Sequence, residues 1–217
     1  MNSRPFPARV LAVLAIVLFT GQSAALAQDA HALFERLKTT YETIDALQAR
    51  FQQTMTTPYS DREETFSGTI VFQRDRYRVE TGTQTFVTDG TVTWVYLPDA
   101  NQVLINDYVE DETAFSLNSF FLNYSDRYEV TSAETVQLDG ATHYLLRLKP
   151  RNPDTFFTDI AIWMRDRDNL VTRMEVTDVN ETRMTFHLED IQLNPVLRAD
   201  TFTFTPPEHA EVIDLRS

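Results

Sequence analysis

The sequence predicts a mainly β fold with a helical minority: about eleven antiparallel strands, a long N-terminal helix and one short helix later in the chain. Three observations predict it. A 25-residue stretch without Gly or Pro carries an apolar stripe of helical spacing. The rest of the chain is mostly short runs of period two, rich in Thr, Val, Ile and aromatics. Asp-Gly dipeptides and prolines punctuate those runs at connections too short for parallel crossovers.

In chain order, Arg4 and Arg9 precede an apolar run over 10–19, and Ala25-Leu26-Ala27 closes the segment. That is the arrangement of a secretory leader; a run of about ten residues is half of what a membrane-spanning helix needs, roughly 20. Cleavage after Ala27 would leave 28–217 as one exported domain and shift the formal net charge of −13 to −15. The helix is expected over 31–55, where Leu33, Leu37, Tyr41, Ile44, Leu47, Phe51 and Met55 recur at steps of three and four, with Asp29 as its N-cap and Pro58 beyond its end. Strands are expected at 65–73, 76–81, 83–88, 91–97, 102–106, 127–131, 142–149, 159–165, 171–179, 182–192 and 201–205. Asp89-Gly90 and Asp139-Gly140 mark tight turns, and 112–123 reads as the short helix. Within 91–97, Val92, Trp94 and Tyr96 alternate with Thr91, Thr93 and Val95, so one sheet face is expected to be apolar and the other Thr-rich and wet. Periodicity leaves open whether the apolar face packs tightly on the helix or encloses a cavity.

Composition narrows the chemistry. The chain has no cysteine, which excludes disulfides, thiolate metal sites and a cysteine nucleophile. Its acidity argues against a nucleic-acid partner, and Lys38 and Lys149 are the only lysines among 19 basic residues. No nucleophile elbow, zincin helix, P-loop or dinucleotide fingerprint occurs, so no catalytic residues are assigned. His31, His143, His187 and His209 are too scattered for a metal site, and no cofactor is implied. Arg74, Arg76 and Arg78 step by two, which by itself is a basic stripe on one strand face.

The run from Thr85 to Pro98, with Asp89-Gly90, Trp94, Tyr96 and Pro98, resembles the S-D-G-x-x-x-W-x-Y-x-P block of the periplasmic lipoprotein carrier family, LolA. Phe202-Thr203-Phe204-Thr205-Pro206-Pro207 is similar to that family's closing motif, Phe51-Gln52-Gln53 to its F-x-Q helix end, and the stretch from Gly68 to Arg74 to the strand that ends in its Arg-Pro turn. The resemblance implies an incomplete barrel of eleven antiparallel strands closed by a helical lid, with an apolar interior for lipoprotein acyl chains. It implies a non-enzymatic, monomeric periplasmic chaperone. Its partners would be acylated lipoproteins, an inner-membrane releasing ABC transporter complex and an outer-membrane lipoprotein acceptor. Arg74 falls at the family's lid-latching arginine; Asp75 replaces the family's proline, which leaves Arg76 as the other candidate. Tyr77, Val79, Phe86, Trp94, Tyr96, Phe115 and Leu117 would line the cavity, ordinary core packing being the alternative role for each. An envelope sensor or general lipid binder on the same fold is the alternative function, and an exported hydrolase a more distant one.

Overall fold

The structure is a computed structural model, and residues 22–109, 127–152 and 155–216 are described. Among them are one α-helix, α1 (Gln22–Glu42), and twelve strands. These are β1 (Ala46–Thr57), β2 (Ser60–Gln73), β3 (Arg76–Thr81), β4 (Thr85–Thr88), β5 (Val92–Leu97), β6 (Gln102–Asp107), β7 (Tyr128–Leu138), β8 (Ala141–Pro150), β9 (Phe157–Arg165), β10 (Val171–Asp178), β11 (Arg183–Leu193) and β12 (Glu211–Asp214). They form one sheet in the order β12-β6-β5-β4-β3-β2-β1-β11-β10-β9-β8-β7. The two end strands do not pair with each other, so the sheet is open. Every pairing is antiparallel except β12 on β6.

The expected helix is displaced along the chain: α1 begins at Gln22, so Asp29 lies inside it rather than at its N-cap, and the residues expected to be helical beyond Glu42 are not. α1 ends at Glu42 in a run of β-branched residues, where Thr43 and Ile44 donate backbone bonds to Thr40 and Tyr41, one residue closer than α-helical spacing. The Asn194 side-chain oxygen then accepts the N–H groups of Asp45 and Ala46, at 2.9 and 3.0 Å, and starts β1. Leu47, Phe51 and Met55 are four apart, and a step of four is even, so it satisfies a strand's period as well as a helix's. The expected strand at 201–205 is instead a pair of turns, with Thr201 and Thr203 bonded back to Arg198 and Asp200. The last strand comes later, as β12. The count is therefore twelve, and the short helix expected at 112–123 lies outside the described residues.

Cross-strand partners share a face, so register sorts every side chain. The face that carries α1 is called inner here. On it Phe34, Leu37 and Tyr41 of the helix meet Leu146 and Leu148 of β8, Ile160 and Ile162 of β9 and Met174 of β10, all buried. The Tyr41 hydroxyl, buried with its ionisation suppressed chiefly by that burial, accepts the Val171 N–H at 3.2 Å and pins the helix to the β9–β10 turn. That turn is closed by Asp168, which takes Arg165 on both oxygens at 2.8–3.2 Å and the Leu170 N–H at 3.3 Å.

Candidate functional site

Toward β6 the inner face continues without the helix. Phe72 pairs with Tyr77, Ile70 with Val79, Val79 with Phe86, and Phe86 with Val95, which in turn pairs with Leu104. Tyr77, Val79 and Phe86 thus stand together on the inner face, half-buried. At the inner positions of β3 to β6 the residues are Tyr77, Val79, Thr81, Phe86, Thr88, Thr93, Val95, Leu97, Gln102, Leu104 and Asn106, and none is charged. Phe51, Met184 and Phe186 extend the apolar surface across β1 and β11 and pack against the core. Gly68 makes room for Phe51: a Cβ there would lie 2.0 Å from the Glu80 carbonyl oxygen and 3.0 Å from the Phe51 ring.

Trp94 and Tyr96 are on the other face. Val87 pairs with Trp94 and Thr85 with Tyr96, one residue out of phase with Phe86. Nor is the outer face wet in this region, because the C-terminal segment lies on it. Arg76 stacks its guanidinium 4.9 Å from the Phe202 ring centre, Arg78 donates to the Thr203 carbonyl at 3.4 Å, and the Tyr96 and Phe204 rings sit 5.6 Å apart. Phe202 itself is buried, as are Val87 and Val103 on the same face of the sheet. The expectation of a solvated Thr-rich face opposite Trp94 is corrected accordingly: Thr93 shares the inner face with Val95. The spacing across the β4–β5 turn carried the signal: Thr88 pairs with Thr93 across four residues, and an even number between partners matches even residues with odd ones and puts Phe86 with Val95. Phe51, Ile70, Val95, Leu104, Met184 and Phe186 complete the inner surface; Phe51 was hidden by the helical reading of its segment.

Arg74 occupies the two-residue connection between β2 and β3, in the left-handed region (φ 57°), with a side chain 79% exposed. Its Nε is 3.4 Å from Asp45 Oδ1, whose other oxygen accepts from Gln73 at 2.9 Å. Arg74 therefore sits where the α1–β1 junction meets the strand ends. Arg76 bonds Gln73 and faces outward onto Phe202, so the stepped arginines divide between two tasks. Asp75 packs against the neighbouring β4–β5 turn, where Gly90 (φ 89°) has no space for a Cβ: one would come within 2.6 Å of the Asp75 carboxylate. Phe115 and Leu117 lie outside the described residues. Of the histidines, buried His143 bonds the Thr172 hydroxyl at 2.9 Å, and His187 faces outward beside Arg173, its basicity lowered by burial and by that cation.

An open, largely antiparallel sheet whose helix covers only part of an inner face that is uncharged from β3 to β6 is the build of a protein that can shelter an apolar ligand. The family model described as "Outer membrane lipoprotein carrier protein LolA" matches residues 42–205. The chain belongs to that family. Relatives named outer-membrane lipoprotein carrier protein include one from Bordetella pertussis, 28% identical over 95% of this chain and 98% of its own length. Another, from Xanthomonas oryzae, is 29% identical over 93% and 95%. Among solved structures, an uncharacterized conserved protein from Thermus thermophilus superimposes with a TM-score of 0.55 at 14% identity, covering 86% of this chain and 99% of that one. The Mycobacterium tuberculosis lipoprotein LppX does so with 0.52 at 10% identity, covering 80% and 99%. At these identities the two structures speak for the fold alone.

Proposed function

We propose that the chain is a periplasmic, non-enzymatic carrier that shelters the acyl chains of lipoproteins on its inner face and moves them from the inner membrane to the outer membrane. The observation that carries the reading is the uncharged inner face of β3 to β6, continuous with Phe51 and Phe186 and uncovered by α1. Family membership and full-length relatives that bear the carrier name support it. The physics supplies the need: three acyl chains of roughly 15 methylenes, at ~0.8 kcal/mol each, would cost on the order of 36 kcal/mol to expose to water. An apolar lining replaces the bilayer during transit, and its lack of directionality lets one surface accept many cargoes.

In this reading the leader is removed after Ala27, 28–217 works as a monomer, and the strongly acidic surface is repelled by anionic headgroups. An ATP-driven inner-membrane transporter complex loads the carrier and an outer-membrane acceptor unloads it. Arg74 is the proposed latch: its fixed fork of donors, at the strand ends beside Asp45, suits the family role of holding lid backbone carbonyls. Tyr77, Val79 and Phe86 are the proposed acyl contacts, joined by Phe115 and Leu117 on the strength of the family resemblance alone.

The test is transfer of an acylated lipoprotein from the purified mature chain to acceptor membranes, for wild type and Arg74→Leu. Wild type should bind and release, and the variant should bind and retain, with release slowed about tenfold or more. Absence of binding by wild type contradicts the carrier reading, whereas equal release rates contradict only the latch.

A further inference from the structure

β2 is longer than its neighbour. β3 pairs with it only from Gly68 to Gln73, so Ser60 and residues 63–67 are paired with β1 on one side and with no strand on the other among the described residues. On the far side β1 is held by β11 as far as Thr56, so this arm of the hairpin is supported. The rim of the sheet thus drops by a step, and a free strand edge of roughly 17 Å over residues 63–67 borders it. Residues 62–67 are all exposed, including Phe66, which is 37% exposed and stands in phase with Gly68, Ile70 and Phe72 on the inner face. The Arg62 N–H is taken by the Ser60 hydroxyl, and the backbone from Glu63 to Ser67 forms the open part of the edge.

The charges select what can pair there. Glu64 lies on the inner side of the edge and Glu63 on the outer side, and from Ser60 to Gly68 the sequence holds three acids, Asp61, Glu63 and Glu64, against the one cation Arg62. A second copy of the chain would bring these glutamates against its own, which disfavours edge-to-edge pairing. An extended cationic or neutral segment meets no such cost. We propose that this edge holds the extended polypeptide stretch that leaves the cargo's acylated terminus, adding it as a strand to β2 where it crosses the rim. The proposal rests on the carrier reading above, because a terminus whose acyl chains lie on the inner face must pass the rim to reach its own folded domain. Backbone pairing supplies affinity without reading side chains, so it is compatible with many cargoes, and the two glutamates add a preference against acidic linkers.

The experiment is amide hydrogen exchange of residues 63–67 in the mature chain with three synthetic probes. One is tripalmitoylated Cys-Ser followed by four lysines, the second is the same lipid with four glutamates, and the third is tripalmitoylated cysteine amide with no peptide. Outward-facing amides of the edge should slow at least about tenfold with the lysine probe and remain unchanged with the cysteine amide. Glu63→Lys with Glu64→Lys should weaken lysine-probe binding about five- to tenfold and leave the cysteine amide's affinity unchanged. Equal protection by the probe without a peptide, or none with the lysine probe although it binds, overturns the proposal and leaves the carrier reading standing. Concentration-dependent protection without any probe assigns the edge to a second copy and also overturns it. If none of the three probes binds, the carrier reading itself has failed.

Discussion

Phe86 and Trp94 illustrate what single residues decide. Both are large, apolar and on adjacent strands, yet they stand on opposite faces because the partners Thr88 and Thr93 are separated by four residues, an even number that matches even residues with odd ones. Composition made both look like lining; parity separates them, and the pairing implied by Asp89-Gly90 already contained that parity. Val79, half-buried between Ile70 and Phe86, is the direct probe of the inner face. Val79→Asp should weaken binding of a fluorescent acyl probe at least about tenfold, since a carboxylate would have to be desolvated beneath the chain. Outer-face Thr85→Asp should not weaken it. Asp168 makes a second prediction. Burial pushes its carboxyl upward, but the bonds from Arg165, the Leu170 N–H and Arg167 outweigh that and hold it below the usual carboxylate range. A depressed folded value means stabilisation that is present above the unfolded value, about 4, and is lost as pH falls through the folded one. Urea midpoints measured from pH 6 to pH 3 should fall in the wild type and fall less steeply in Asp168→Asn.

At the scale of elements, most strands were legible because alternation and turn residues agreed: β3 spans the expected residues 76–81, and β5, β6, β8 and β10 agree within a residue or two at each end. Two segments were misread, and β12 had no counterpart among the expected strands. In β1 a four-residue spacing served both periods, and only Asn194, distant in sequence, selects the strand. In 201–205 the alternation of Phe202 and Phe204 was real but had no strand partner; it turns both rings onto the outer face, over Arg76 and Tyr96. The segment is a strap on the outer face, where Val87 and Val103 are buried, and leads into β12 on the edge of β6. Phe202→Ala should cost about 3 kcal/mol in urea unfolding, as for other buried aromatics, and Arg76→Ala about 1 kcal/mol through the lost stack on the same ring. An equal and small effect from both would mean that the strap lies loosely on the sheet.

For the molecule as a whole, one open sheet performs two kinds of packing. At the β7 end it closes on α1 and forms a core; at the β6 end its inner face stays uncharged and mostly half-buried while the C-terminal strap lies on the outer face. The division of the molecule follows from its length: a 21-residue helix, part of it upstream of Ala27, cannot cover twelve strands. The measurement that bears most directly on the carrier account is displacement of a fluorescent fatty-acyl probe from residues 28–217 by a triacylated lipoprotein, with the same lipoprotein stripped of its acyl chains as control. The account predicts saturable probe binding at one site, full displacement by the acylated form and none by the stripped form. Displacement by both forms alike, or by neither, would contradict it.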